Sequence, residues 1–143
     1  MNFEEFEKII GFRFKDKSLL KQSFTHRSFI NENRSSGLKH NERLEFLGDA
    51  VLELVITDFL YERFKEMNEG ELTSLRSALV NADTCSLVAQ KLGVNDYLLL
   101  SKGESKDSGR ARQFILANTL EAIIGAIYVD QGYGSAKEFI EKH

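Results

Sequence analysis

The 143-residue chain has no proline and no tryptophan, one cysteine and three histidines. Without proline, glycine is the one residue type left to interrupt a helix. Strand signals are equally scarce. Val55-Ile56-Thr57 and Tyr97-Leu98-Leu99-Leu100 are short and lie inside or between helical patterns. Cys85, alone, excludes an internal disulfide and fits a reducing compartment. Three histidines and one cysteine exclude zinc sites of the finger type. No apolar run approaches the roughly 20 residues needed to span a membrane. The acidic start, Met1-Asn2-Phe3-Glu4-Glu5, lacks the apolar stretch of a signal peptide. A cytoplasmic location with no membrane partner is therefore expected. An excess of basic residues is missing too: 19 Lys and Arg stand against 22 Asp and Glu, net −3. That balance speaks weakly against nucleic acid as a partner but does not decide it, because phosphate contacts come from local basic surface.

What is present reads as a single all-α domain over residues 1–143, without internal repeats. Phe3, Phe6, Ile9 and Ile10 predict a first helix ended by Gly11. Asp16 is placed to cap a second, carrying Leu19, Leu20, Phe24 and Phe29. A polar loop, Asn31–His40, precedes a long helix from Glu42 to Phe64. Asn68-Glu69-Gly70-Glu71 reads as a turn. Helices over Leu72–Val80 and Asp83–Leu92 follow, the latter closed by Gly93. After the loop Ser101–Arg112 comes a helix over Phe114–Val129. Gly132 and Gly134 set it apart from a final helix.

The long helix carries the most informative pattern. Asn41 is a suitable N-cap, and Leu44, Leu47, Val51, Leu52, Val55 and Phe59 recur at helical spacing. At about 100° per residue, Glu42, Glu45 and Asp49 fall within an arc of roughly 60°, opposite the apolar set. Three acids on one stripe repel each other. The macrodipole favours Glu42 and Glu45 near the N-terminus, but Asp49 is too deep for that. Either the stripe is a solvated face or it holds a hard cation. Gly48 favours the second. A mid-helix glycine costs about 1 kcal/mol against alanine, which points to close approach of another element. A matching stripe lies on the last long helix. Asn118 and Glu121 are i,i+3 neighbours, Gly125 continues the line, and Leu116, Leu120, Ile123, Ile124 and Ile127 lie opposite. Two helices packed through their glycines would converge these oxygens on one Mg²⁺ or Mn²⁺.

The stretch Glu42-Arg43-Leu44-Glu45-Phe46-Leu47-Gly48-Asp49 also resembles the signature of the ribonuclease III family. Further matches are Phe24-Thr25-His26-Arg27-Ser28, Glu69-Gly70-Glu71-Leu72-Thr73 with Arg76, Lys102-Gly103-Glu104 with Gly109-Arg110, and Ala117 through Gly125. The resemblance runs from about Phe12 to Tyr133. It implies a dimerising, all-helical endonuclease domain of the bacterial type. Such a domain cleaves double-stranded RNA by divalent-metal-assisted phosphodiester hydrolysis, with no organic cofactor. Products carry 5′-phosphate and 3′-hydroxyl ends with a short 3′ overhang, as in rRNA and mRNA processing. Glu45, Asp49 and Glu121 are then catalytic metal ligands, with the position of Asn118 as a fourth. Glu42 and Glu69 match acids near the substrate, and Phe46 matches an aromatic that plugs the partner subunit of a homodimer.

Two departures stand out. The family places Asp where this chain has Asn118, so a non-catalytic member that binds structured RNA is the alternative reading. An all-α interaction domain with merely solvated acids is a third. The separate double-stranded-RNA-binding domain of many bacterial members is not expected in this chain. Among the remaining residues, His26 is either a structural histidine between helices or an RNA or water contact. Lys102, Lys106, Arg110 and Arg112 share a loop with Glu104 and Asp107, which is either a phosphate contact or a solvated loop. Cys85 falls on an apolar pattern and reads as core.

Overall fold

The computed structural model describes residues 2–106 and 108–143; Met1 and Asp107 lie outside the described residues. Among the described residues, seven α-helices follow in chain order: α1 Phe3–Ile10, α2 Lys17–Ser23, α3 Arg27–Glu32, α4 Glu42–Arg63, α5 Glu69–Leu79, α6 Ala82–Lys91 and α7 Arg110–Lys142. Short 3-10 turns occupy Arg34–Ser36, Val94–Tyr97 and Glu104–Lys106. The all-α expectation holds. Among the described residues, sheet-like pairing is confined to one parallel bridge between Thr25 and Leu99.

That bridge explains a correction. The helix capped by Asp16 does not run on to Phe24 and Phe29; it stops at Ser23 and restarts as α3. The backbone at the break is diverted. The Leu99 N–H donates to the Phe24 carbonyl at 2.9 Å, the His26 N–H to the Leu99 carbonyl at 3.0 Å, and the Asn41 N–H to the Thr25 carbonyl at 2.9 Å. These partners, far away in sequence, compete with the next helical turn. Asn41 is corrected for the same reason. It caps nothing with its side chain, which is buried and donates to the Ser23 carbonyl at 3.0 Å. The expected turn at Asn68–Glu71 is the start of α5. Asn68 accepts from the Glu71 N–H at 3.1 Å while the Glu71 carboxylate accepts from the Asn68 N–H at 2.9 Å. This reciprocal capping box starts the helix at Glu69 rather than Leu72. Gly11 and Gly93 close α1 and α6 in the left-handed region, at φ 69° and 70°.

The longest helix, α7, begins at Arg110, ahead of the expected Phe114, and so takes Arg110 and Arg112 out of the loop. Gly132, at φ 84° and ψ −175°, interrupts it as expected. Its apolar content also corrects the expectation about membrane-length runs. An 18-residue window of α7 reaches a mean hydropathy of 1.2, enough by length and composition to cross a membrane. Most of that window is buried inside the protein. A helix that is apolar nearly all round belongs in a core. From Ile115 to Ile127 only Asn118 and Glu121 escape full burial.

Against α7 packs α4, through Leu44, Val51, Leu52 and Val55. Phe59, expected on this face, is 40% exposed, and Leu60 takes the buried place. An aromatic cluster closes one end of the core. The Phe6 and Phe24 rings meet edge to face at 4.9 Å, and Tyr97 lies 5.1 Å from Phe6. Asp130 fixes α7 to the entry of α2 by accepting the N–H groups of Lys15 and Asp16 at 2.8 and 2.9 Å.

Candidate metal centre

The two acidic stripes meet because two glycines let the backbones touch. A Cβ on Gly48 would lie 1.7 Å from the Glu121 carbonyl oxygen and 2.8 Å from the Gly125 nitrogen. One on Gly125 would lie 2.1 Å from the Leu44 carbonyl oxygen. No side chain fits either place, so α4 and α7 cross here at backbone contact. Glu45 and Asp49 flank Gly48 on α4, and Glu121 sits one turn before Gly125 on α7.

The electrostatics register this proximity. Burial pushes the Glu121 carboxyl up to about 7, with the charges of Asp49 and then Glu45 adding to it. Burial raises Glu45 as well, followed by the charges of Glu42 and Asp49. The charges of Asp49 and Glu45 thus oppose the ionisation of Glu121, and those of Glu42 and Asp49 oppose that of Glu45. Among the described residues, no three Asp, Glu, His or Cys side chains are grouped closely enough to hold an ion as they stand. The glycine crossing fixes the backbones that carry the two stripes. The expected donors, the carboxylates of Glu45, Asp49 and Glu121 and the Asn118 amide oxygen, are all oxygen, the chemistry that a hard divalent cation takes. Asn118 is half-buried, and no hydrogen bond of its side chain is found among the described residues.

The other expected residues are placed as follows. Glu42 is held by Arg27, whose Nε lies 2.8 Å from Oε1 and whose Nη2 donates to Oε2 at 2.8 Å. Glu69 lies in the first turn of α5, accepts from the Thr73 hydroxyl at 3.0 Å, and is absent from the charges acting on Glu45 and Glu121. His26 caps α3, its Nδ1 lying 2.8 Å from Ser28 Oγ and 3.3 Å from the Ser28 N–H. Burial lowers its pKa. Arg110 stacks over Phe114 at 5.7 Å, at the exposed start of α7. Arg112 is no free phosphate ligand: it donates to the Asn95 side chain at 2.9 Å and to the Glu104 carbonyl. Phe46 is 81% exposed, beside the stripe. Cys85 is core, as expected, and its thiol is pushed up to about 11 by burial and by Glu121 and Asp49. The Arg27–Glu42 pair escaped sequence reasoning, since 15 positions of separation leave no periodic signal.

Residues 16–143 match the family description of ribonuclease-III-like proteins. The chain belongs to the ribonuclease III family. Among curated relatives, Ribonuclease 3 of Protochlamydia amoebophila is 53% identical over 134 residues, covering 94% of this chain and 55% of its own length. Ribonuclease 3 of Enterococcus faecalis is 47% identical, covering 96% of this chain and 60% of the relative. The chain thus spans somewhat over half the length of the ribonuclease III proteins it matches. A solved nuclease domain of ribonuclease III from Campylobacter jejuni superposes with a TM-score of 0.90 at 41% identity, covering 99% of this chain and 94% of that one. That structure is described for flexibility in a region involved in dimer formation. Dicer from Pichia stipitis matches with a TM-score of 0.65 at 30% identity, over 91% of this chain and 54% of that one.

Proposed function

We propose that this chain is an endoribonuclease domain that cleaves double-stranded RNA as a homodimer with a divalent cation, in the cytoplasm. The observation that carries the reading is the glycine-to-glycine crossing that brings Glu121 under the charges of Asp49 and Glu45. Glu45, Asp49 and Glu121 would hold the cation, with Asn118 offering a neutral oxygen. Bound there, Mg²⁺ (or Mn²⁺ in its place) supplies an activated water and stabilises charge on the attacking and leaving oxygens of the phosphodiester. The carboxylates neutralise and orient; none need form a bond to RNA. Ends of the 5′-phosphate and 3′-hydroxyl type, with a short 3′ overhang, follow from the family resemblance.

The homodimer rests on α4. Phe46, Leu54 and Tyr61, spaced eight and seven residues apart, lie on one face and are 81%, 56% and 70% exposed. Burying a side chain such as Phe46 is worth about 1.5–3 kcal/mol per copy. The reducing compartment is supported by Cys85, free and buried.

Incubation with long double-stranded RNA and Mg²⁺, followed on a gel, tests the activity. Cleavage abolished by EDTA is expected. Asn118 favours one alternative, a member that binds structured RNA without cutting it, and a mobility shift without products would establish that instead. Neither cleavage nor a shift would contradict both.

A further inference from the structure

An RNA phosphate approaching the acidic stripe meets a chain of net charge −3 and at least three carboxylates. Something cationic must stand at the entrance. Arg27 does. Its Nε and Nη2 grip both oxygens of Glu42 in a forked pair, while Nη1 is left without a partner among the described residues. The Arg27 side chain is 60% exposed and that of Glu42 41%. Glu42 in turn is one helical turn before Glu45, so the fork is fixed on the edge of the stripe. His40 Nδ1 lies 3.7 Å from the same carboxylate. The mount is rigid. Arg27 begins α3, whose Ser28 hydroxyl accepts the Ser101 N–H at 3.0 Å and whose Glu32 carboxylate accepts the Lys102 N–H at 3.0 Å. The opposing acids here are Glu42 itself and Glu104, both of which act with Arg27 and His40 on the half-buried His26.

We infer that Arg27 is a substrate-binding residue that contacts an RNA backbone phosphate, with Glu42 as the residue that positions it. This rests on the double-stranded-RNA reading above and adds a contact to it. A guanidinium held by two of its nitrogens keeps a planar donor edge free, and that edge suits a phosphate oxygen. The forked pair removes most of the rotamer entropy that an exposed arginine would otherwise lose on binding. Glu42 is accordingly an anchor rather than a repelling charge.

Binding of a short double-stranded RNA, followed by fluorescence anisotropy in EDTA so that nothing is cleaved, separates the possibilities. Arg27→Ala is expected to weaken binding roughly tenfold at low salt and to flatten the dependence of log affinity on log salt by about one. Arg27→Lys, which keeps the charge, should retain the salt slope with a smaller loss. The same substitution in a Glu42→Ala background distinguishes contact from neutralisation. A phosphate contact costs slope there too, whereas a residue that merely cancels Glu42 costs nothing once Glu42 is gone. An unchanged salt slope in Arg27→Ala, or no effect of Arg27→Ala in the Glu42→Ala background, would overturn the inference. Wild type that binds no RNA at low salt would overturn the RNA reading itself, and this with it. Circular dichroism checks each variant, and Arg27→Gln replaces Arg27→Ala if helix content falls.

Discussion

Gly48→Ala should be among the most damaging single-methyl additions in this protein. The added Cβ would lie 1.7 Å from the Glu121 carbonyl oxygen, where 3.0 Å is the closest that real contacts reach. The difference, 3.0 − 1.7, is 1.3 Å, and the obstructing atom is backbone on a buried helix, so α4 and α7 must part by at least that much. Parting them loosens the packing of Leu44, Val51, Leu120 and Ile124, all buried around the crossing. Overpacking of this kind costs typically 1–3 kcal/mol, and more where backbone is hit. Relief of the glycine penalty returns only about 1 kcal/mol. A net loss of up to about 2 kcal/mol is expected, which for a domain of this size lowers Tm by up to roughly 8 °C. Gly134→Ala is the control. It is helical, at ordinary φ, and has nothing within 4 Å of an added Cβ, so it should stabilise by about 0.4–1 kcal/mol. Thermal melts followed by circular dichroism read both. A Gly48→Ala protein that melts with wild type would refute the backbone contact on which the centre is built.

Further predictions concern pH, assembly and salt. Glu121 stands at about 7 against an ordinary 4.5, so the fold prefers its neutral form. That preference is fully present below about pH 4.5 and lost as pH rises through about 7. In EDTA, the urea midpoint should therefore fall between pH 5 and pH 8 by an amount worth about 1 kcal/mol, discounted for partial exposure, and Glu121→Gln should lose this dependence. Metal binding and cleavage should instead rise over the same window, as the carboxylate ionises. Sedimentation should show a wild-type dimer that Phe46→Ala weakens; a wild-type monomer at micromolar concentration would contradict the α4 interface. RNA affinity should be modest and fall steeply with salt, since few cations are available for phosphates; tight, salt-independent binding would count against it.

Much of the α4–α7 crossing was legible in the sequence because its cause is local. The spacing of Glu42, Glu45 and Asp49 fixes their common stripe, and Gly48 and Gly125 carry an energetic penalty that only close approach explains. The boundaries misread in the sequence have non-local causes. Ser23 ends α2 because Leu99 and Asn41 claim the backbone of Phe24, Thr25 and His26. Asn41 has the composition of a cap and spends its amide on Ser23 instead. Phe59 and Leu60 are adjacent and both apolar, so periodicity could not decide which one α4 buries. The apolar character of α7 was underestimated because Asn118, Glu121 and the glycines break its runs, although the helix is buried nearly all round. The Arg27–Glu42 fork and the half-buried anchor Arg112 depend on loop paths that no spacing encodes.

The central claim is that Glu45, Asp49 and Glu121 form one cation site, with Asn118 as a neutral fourth oxygen. It is tested most directly by cleavage of double-stranded RNA against Mg²⁺ concentration for wild type, Asn118→Asp and Glu121→Gln, with circular dichroism as a folding control. Mg²⁺ needs only one or two carboxylates, so wild type should cut. The added charge in Asn118→Asp should lower the Mg²⁺ concentration for half-maximal cleavage. Glu121→Gln should nearly abolish turnover with the fold and dimer intact. Glu121→Gln cutting as well as wild type would contradict the site; an unmoved Mg²⁺ curve for Asn118→Asp would remove Asn118 from it.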